Sequence, residues 1–290
     1  MSGIKISTIF PREFYDWVKD VYPIWLQLPQ NVLDGLVPFN FAKAPLRLDY
    51  AANADLLSAS CIFQNLRVFL DLIDKNQIQL LEDDRMTSDS LELLINETFW
   101  LHRGADDVKI LPRPLEEEII CRLDFLKALA VASGLINLSD NRLEIAQSGR
   151  LLLTHKVEQR LLRKVFEAAF SKVNPRTLTK LAHPWVHEQA GIIFWGLSLV
   201  GGTPRSPEEF ARYCFVPTKK FLQKESDHRI ARIYMKSVFL DPLTWFGLLE
   251  SRKTEVTMSN PDGLMFQKSP AFDSFFHFEI ERLAPIERAN

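Results

Sequence analysis

Lys156, Arg160, Arg163 and Lys164 fall at i, i+4, i+7 and i+8, the spacing that puts all of them on one side of a helix. Lys172, Arg176 and Lys180 continue the run, and a second group holds Lys219, Lys220, Lys224, Arg229, Arg232 and Lys236. Grouped cations attract phosphate backbones by releasing condensed counterions, so the chemistry they point to is contact with DNA or RNA backbones. The competing reading is a solvated helix face, which Glu158 and Glu167 nearby favour.

The chain's net charge is only −2, so this basic stretch is balanced elsewhere. Residues 66–125 hold 14 Asp/Glu against 7 Lys/Arg, a local net of −7. Residues 156–236 hold 15 Lys/Arg against 7 Asp/Glu, a local net of +8. Such asymmetry fits either a charged partner or one part of the molecule docking on the other.

Other chemistry finds little support. His183 and His187 stand at i, i+4 with Glu188 adjacent, a spacing able to hold a metal from one helix face. Pro184 lies between them, the order is not HExxH and no third ligand is visible, so they read as core or interfacial histidines and no metal is expected. No GxxxxGK[ST], GxGxxG, GxSxG or paired-cysteine pattern occurs. GGTP at 201–204 is a helix stop, because Ser206 caps the helix beyond it. Glu116, Glu117 and Glu118 come after Pro114 and are expected in the first turn of the next helix, where its positive end accounts for them. The reading is therefore a non-enzymatic protein with no cofactor. An enzyme site between domains near His183, His187 and Asp227 is the least favoured alternative.

The elements that must carry the cations read as mainly α with short β-hairpins, an α+β fold. At 290 residues the chain has room for two or three small modules. The 21 Phe and 6 Trp suit large helix–helix contacts, and 11 Gly disfavour Gly-rich nucleotide folds. From about residue 53 a unit recurs: apolar helix, tight stop, two short strands, capped helix. In the first copy Ile62, Leu66, Phe69 and Ile73 line a helix, IQLLEDDRM (78–86) is strand and turn, and Thr87 or Ser88 caps TSDSLELLI. In the second, Leu123, Leu126, Leu129 and Ala130 line a helix stopped by Gly134. LINL and RLEIA then form a hairpin with Leu143 and Ile145 beneath the helix before it, and SGRLLL opens the next helix. In the third, TEVTM (254–258) and GLMFQK (263–268) are the expected strands, joined by SNPD. Matching LEIAQSGRLLL to LMFQKSPAFDSFF places Ser148 over Ser269 and Gln147 over Lys268. Matching IQLLEDDRM to LEIAQSGRL places Ile78 over Leu143 and Leu80 over Ile145.

This is the chain order of a winged helix, so the expected architecture is tandem winged-helix-like units around a central helical region. The divisions are an aromatic N-terminal arm (1–52), two units (53–154), the central region (155–238), and a third unit with a tail (239–290). In the arm, Phe14, Trp17, Val18 and Val21 have helical spacing, and Pro23 and Pro29 interrupt the chain after them. In the centre, Leu161, Leu162, Val165, Phe166, Ala169 and Phe170 face inward. PWVHEQAGIIFWGLSLVGG (184–202) is apolar nearly all round, so it is a buried helix ending at Gly201–Gly202. SPEEFARYCF starts a helix at Ser206 with Pro207 and two acids in the first turn.

Two features argue against base reading by the units. RLDFLKALAVASG offers only Arg122, Asp124, Lys127 and Ser133 as polar contacts, and the first wing carries Glu82, Asp83 and Asp84. The third copy, with Arg252, Lys253 and Lys268, is better suited to DNA.

The runs LRVFLDLIDKNQIQLLEDDRM, LDFLKALAVASGLINLSDNRLEIAQSGRLLL and IIFWGLSLVGGTPRSPEEFARYCFVP resemble a module of uncharacterised bacterial proteins encoded by plasmid or transposon reading frames. The resemblance covers roughly residues 55–280, with Ile78–Met86 and Arg142–Leu153 in the places of that family's two wing phrases. It departs where EDD replaces a basic turn and where the SEC-C cysteines of some members are lacking. It implies tandem units and DNA-associated biology. The alternative is a protein-interaction or self-association module, holding a protein partner or a second copy. Cys61, Cys121 and Cys214 form no CxxC pair, no long apolar run occurs and the N-terminus has no signal-peptide layout. A cytoplasmic protein with reduced thiols and no membrane partner is therefore expected.

Overall fold

In a computed structural model the described residues are 18, 21–100, 113–117, 120–154, 158–217, 228–258 and 260–280. They are about 53% helical with strands only in short antiparallel pairs, so the fold is α+β. Pro23 and Pro29 act as starts as well as breaks. The first precedes a 3-10 turn, Ile24–Gln27, and the second precedes α1 (Gln30–Leu36). Of the helix expected earlier in the arm, Val18 is helical and buried and Val21 is a bend, while Phe14 and Trp17 lie outside the described residues. β1 (Leu46–Leu48) and α2 (Ala54–Ala59) come next.

A helix stop of one kind recurs three times along the chain. α3 (Cys61–Asp74) buries Ile62, Leu66, Phe69 and Ile73, and ends at Asn76, whose φ of 55° is left-handed. Asn76 N–H donates to Ile73 O and Gln77 N–H to Leu72 O, each at 2.9 Å. This pair of bonds satisfies carbonyls that the helix end would leave open. A turn with one bridge, Leu80 opposite Met86, leads to α4 (Ser88–Glu97). Its cap is Thr87, whose hydroxyl oxygen accepts from Ser90 N–H. α5 (Cys121–Ala132) stops in the same way: Gly134 has φ 68°, Gly134 N–H reaches Val131 O and Leu135 N–H reaches Ala130 O. β2 (Ile136–Ser139) and β3 (Arg142–Ile145) then pair with Ile136 opposite Ile145. Asp140 and Asn141, both at positive φ, make the two-residue turn whose twist matches the strands. α6 (Gln147–Leu153) closes the copy.

Between the second and third copies lie α7 (Gln159–Ser171), a 3-10 stretch Pro184–Gln189 running into α8 (Ala190–Val200), and α9 (Pro207–Cys214). α8 is buried and stops at Gly201. Ser206 and Glu209 form the reciprocal capping box that the sequence announces. α10 (His228–Tyr234) continues through a π-helical turn, Met235–Leu240, into α11 (Asp241–Trp245). Here again a left-handed Gly247 (φ 78°) ends the helix, with Gly247 N–H on Thr244 O and Leu248 N–H on Leu243 O. β4 (Leu249–Lys253) pairs with β5 (Leu264–Lys268), α12 (Phe272–Phe275) comes next, and β6 (Phe276–Phe278) returns to pair with β1.

Three details differ from the sequence reading. The strand before the third turn is LESRK rather than TEVTM, which lies exposed in the connection. Counting from the left-handed residue places Ala146, not Ser148, over Ser269, and Ile145, not Gln147, over Lys268; likewise Ile78 matches Ile136 rather than Leu143, and Leu80 matches Leu138 rather than Ile145. The serines still do one job: Ser148 Oγ donates to Gly134 O, and Ser269 Oγ donates to Gly247 O at 2.8 Å. Finally, β2 lies against α5, but β3, which carries Leu143 and Ile145, packs with α6 on α3 of the first copy, so the copies share their surfaces.

Buried residues from Val18 to Phe276 form one continuous apolar cluster. Its hub is Phe166 on the inner face of α7. Phe170, Phe194, Phe246 and Phe275 surround it with ring centroids 4.9–6.3 Å away.

Candidate nucleic-acid interface

α7 is the element with the sharpest division of faces. Leu161, Leu162, Val165, Phe166, Ala168, Ala169 and Phe170 are buried, which fixes the helix, and Arg160, Arg163 and Lys164 are exposed on the opposite side. Arg163 Nε donates to Glu167 Oε1 at 2.7 Å, and this bond raises the guanidinium's already high pKa. Arg160 and Lys164 have no carboxylate partner among the described residues. Lys156 lies outside the described residues.

The rest of the basic run divides into free and committed cations. Lys172 and Arg176 are exposed beyond the end of α7, where the Asn174 side chain accepts from Arg176 N–H at 3.1 Å. Lys180 Nζ lies 3.7 Å from Asp124 of α5. Two of the second group are committed inside the protein. Arg232 pairs with Asp262 at 2.8 Å and Lys236 with Asp241 at 2.7 Å, all four side chains mostly buried. Arg229 is exposed, while Lys219, Lys220 and Lys224 lie outside the described residues. Thus Arg232 does not join an exposed basic face. Lys180 with Asp124 joins the basic stretch to the acidic 66–125 stretch.

The acids hold a junction that the sequence reading missed. The sequence places Glu117 in a helical first turn, but α5 begins at Cys121, and the Glu117 carboxylate is instead buried. Lys127 Nζ pairs with Glu117 Oε1 at 2.6 Å and donates to Asp84 O at 2.9 Å; Met86 N–H donates to Glu117 Oε2 at 2.6 Å. The first hairpin's returning arm is thereby fastened to α5 of the second copy. The Asn141 amide of the second turn also abuts the first; turned so that its NH2 faces them, it donates to Glu82 O and Asp84 Oδ1, each at 2.9 Å. Asp84 therefore contacts the second turn. Burial, aided by the nearby Glu117 charge, pushes the Asp124 carboxyl above the ordinary carboxylate range. A run of three glutamates just ahead of a lysine two turns into a helix is the signal that could have found this pair.

The third hairpin is built differently. Lys268 is committed to Asp273 at 2.7 Å and to Ser198 O at 2.9 Å, while Arg252 and Lys253 are exposed. The histidines do not converge on a metal, and no group of three or more His, Cys, Asp or Glu among the described residues could hold one. His183 stacks beside Trp185, and burial pushes the His187 imidazole down to about 4, leaving it neutral at neutral pH. Asp227 lies outside the described residues. No disulfide joins Cys61, Cys121 or Cys214. Among the described residues no helix is long and apolar enough to cross a membrane. No family model, curated protein or solved structure matches the chain.

Proposed function

We propose that this chain is a non-enzymatic protein of winged-helix-like units that binds nucleic acid backbones through the exposed face of α7, with little sequence specificity. The observation that carries the reading is the pair Arg160 and Lys164, exposed and without carboxylate partners among the described residues, on a helix locked by its buried face. Lys172 and Arg176 extend the charge along the next turn. The winged-helix reading is supported by helix, left-handed stop, turn or hairpin and a following helix in that order, with the same two stop bonds each time. The helices before the hairpins serve as core, so phosphate contact rather than base readout is the chemistry available. The resemblance to plasmid- and transposon-encoded proteins adds a lean toward mobile-element biology.

A gel-shift titration against salt tests this. Removing one phosphate-binding cation should lower the slope of log affinity against log salt by about 0.9. Arg160→Glu with Lys164→Glu should therefore weaken binding of any sequence and flatten the slope by roughly 2. Absence of binding at low salt would sink the reading, and self-association seen by light scattering would then favour an interaction module.

A further inference from the structure

The connection between β4 and β5 is exposed, yet its described residues are tied together by hydrogen bonds. Asn260, 7% exposed, is its peg. Its Nδ2 donates to Thr254 Oγ1 at 3.0 Å, and its backbone N–H to Thr257 O at 3.1 Å. Gly263 N–H in turn donates to Asn260 O at 3.1 Å. Arg232 pairs with Asp262 at 2.8 Å from the far side. At Gly263, φ is 57° and a Cβ would meet Val256 Cγ2 at 3.0 Å, so the turn depends on glycine. All this order presents two apolar side chains to water: Val256, 73% exposed, and Met258, fully exposed. Two residues apart, they flank Thr257, whose hydroxyl oxygen accepts from Asn260 N–H at 3.0 Å. At the stem, Arg252 and Lys253 are exposed without carboxylate partners among the described residues.

We infer that this loop is a wedge for duplex nucleic acid, with Arg252 and Lys253 on the phosphates and Met258 pressed against a base step in the groove. The inference rests on the nucleic-acid reading above and adds a second contact to it. Its size decides against a second copy of the chain, since a stable protein interface uses roughly 20–30 residues a side and this tip offers two. A narrow apolar wedge beside cations is instead what groove-binding proteins insert to unstack a step, and methionine is flexible enough to follow it. Pre-ordering the loop removes the entropy that ordering it on contact would cost. Glu255 is the opposing charge, so it should weaken the contact it flanks.

The test uses the full chain and a short DNA duplex with 2-aminopurine at a central TA step, which unstacks readily. Binding should raise the 2-aminopurine fluorescence. Met258→Ser should abolish that rise while leaving most of the affinity, Arg252→Glu with Lys253→Glu should cut affinity at least tenfold, and Glu255→Gln should tighten it. All these side chains are exposed, so the variants should melt with the parent. Binding without a fluorescence rise, or a rise that Met258→Ser keeps, overturns the wedge and leaves the α7 reading standing. No binding at low salt overturns both. Met258-dependent flotation on phosphatidylserine vesicles, or Met258-dependent self-association, without DNA binding would assign the loop to another partner and overturn the inference.

Discussion

Burial pushes the His187 imidazole down to about 4 and pushes the Asp124 carboxyl up, and the two should answer acid in opposite directions. His187 binds its proton less tightly folded than unfolded, so stability falls as pH drops from its ordinary 6.5 toward 4. The full loss is on the order of 3 kcal/mol. Nothing among the described residues hydrogen-bonds its buried Nε2, so an apolar ring breaks no bond there. His187→Phe is expected to flatten the fall in denaturant melts between pH 7 and 4.5; an unchanged slope would remove His187 as the cause. For Asp124 the folded state binds the proton more tightly. Its ionisation therefore costs stability above the raised value, and the cost vanishes below its ordinary 3.8. Asp124→Asn should stabilise at neutral pH and do little in strong acid, despite loss of the half-exposed Lys180 partner, whose 3.7 Å pairing is worth little.

Among the elements, α6 meets the core through an absence. A Cβ on Gly149 would collide with Leu135 O and come within 2.8 Å of Ile145 Cγ2. Gly149→Ala gains helix propensity yet should destabilise by roughly 1–3 kcal/mol, because backbone cannot yield as a side chain can. Gly202→Ala, with nothing within 4 Å of the added carbon, should be neutral or slightly stabilising, and thermal melts of the two would compare them. Elements whose burial follows a simple period were legible in sequence: the inward residues of α7, the capping box of α9 and the stop at Gly134. β4 was not, because only Leu249 of LESRK is buried and the strand reads as polar. TEVTM has the alternating, β-branched look of a strand but pairs with nothing regular, so propensity pointed to the wrong five residues. The two-residue slip between the second and third copies has the same origin. An alternating pattern fits equally well when shifted by two, and only the stop bonds set its origin. The candidate cations were legible as a helix face. Their division into free and committed was not, since Asp241 and Asp262 find Lys236 and Arg232 only through the fold.

At the scale of the whole molecule, Phe166 touches rings from the central helix, the third copy and the last strands. Phe166→Ala should cost roughly 3–5 kcal/mol and lower a single melting transition. Two transitions, only one of them shifted, would show that the parts unfold separately. β6 supplies Phe276 to that core and closes on β1, and beside it Asn53 Nδ2 donates to Ser274 O, 221 residues away, at 3.2 Å. On the ribosome, then, the early segments wait for their partner through most of translation. At about 5–20 residues per second that wait lasts some tens of seconds, with the apolar surface that β6 and its neighbours will cover still open to chaperones and to other nascent chains.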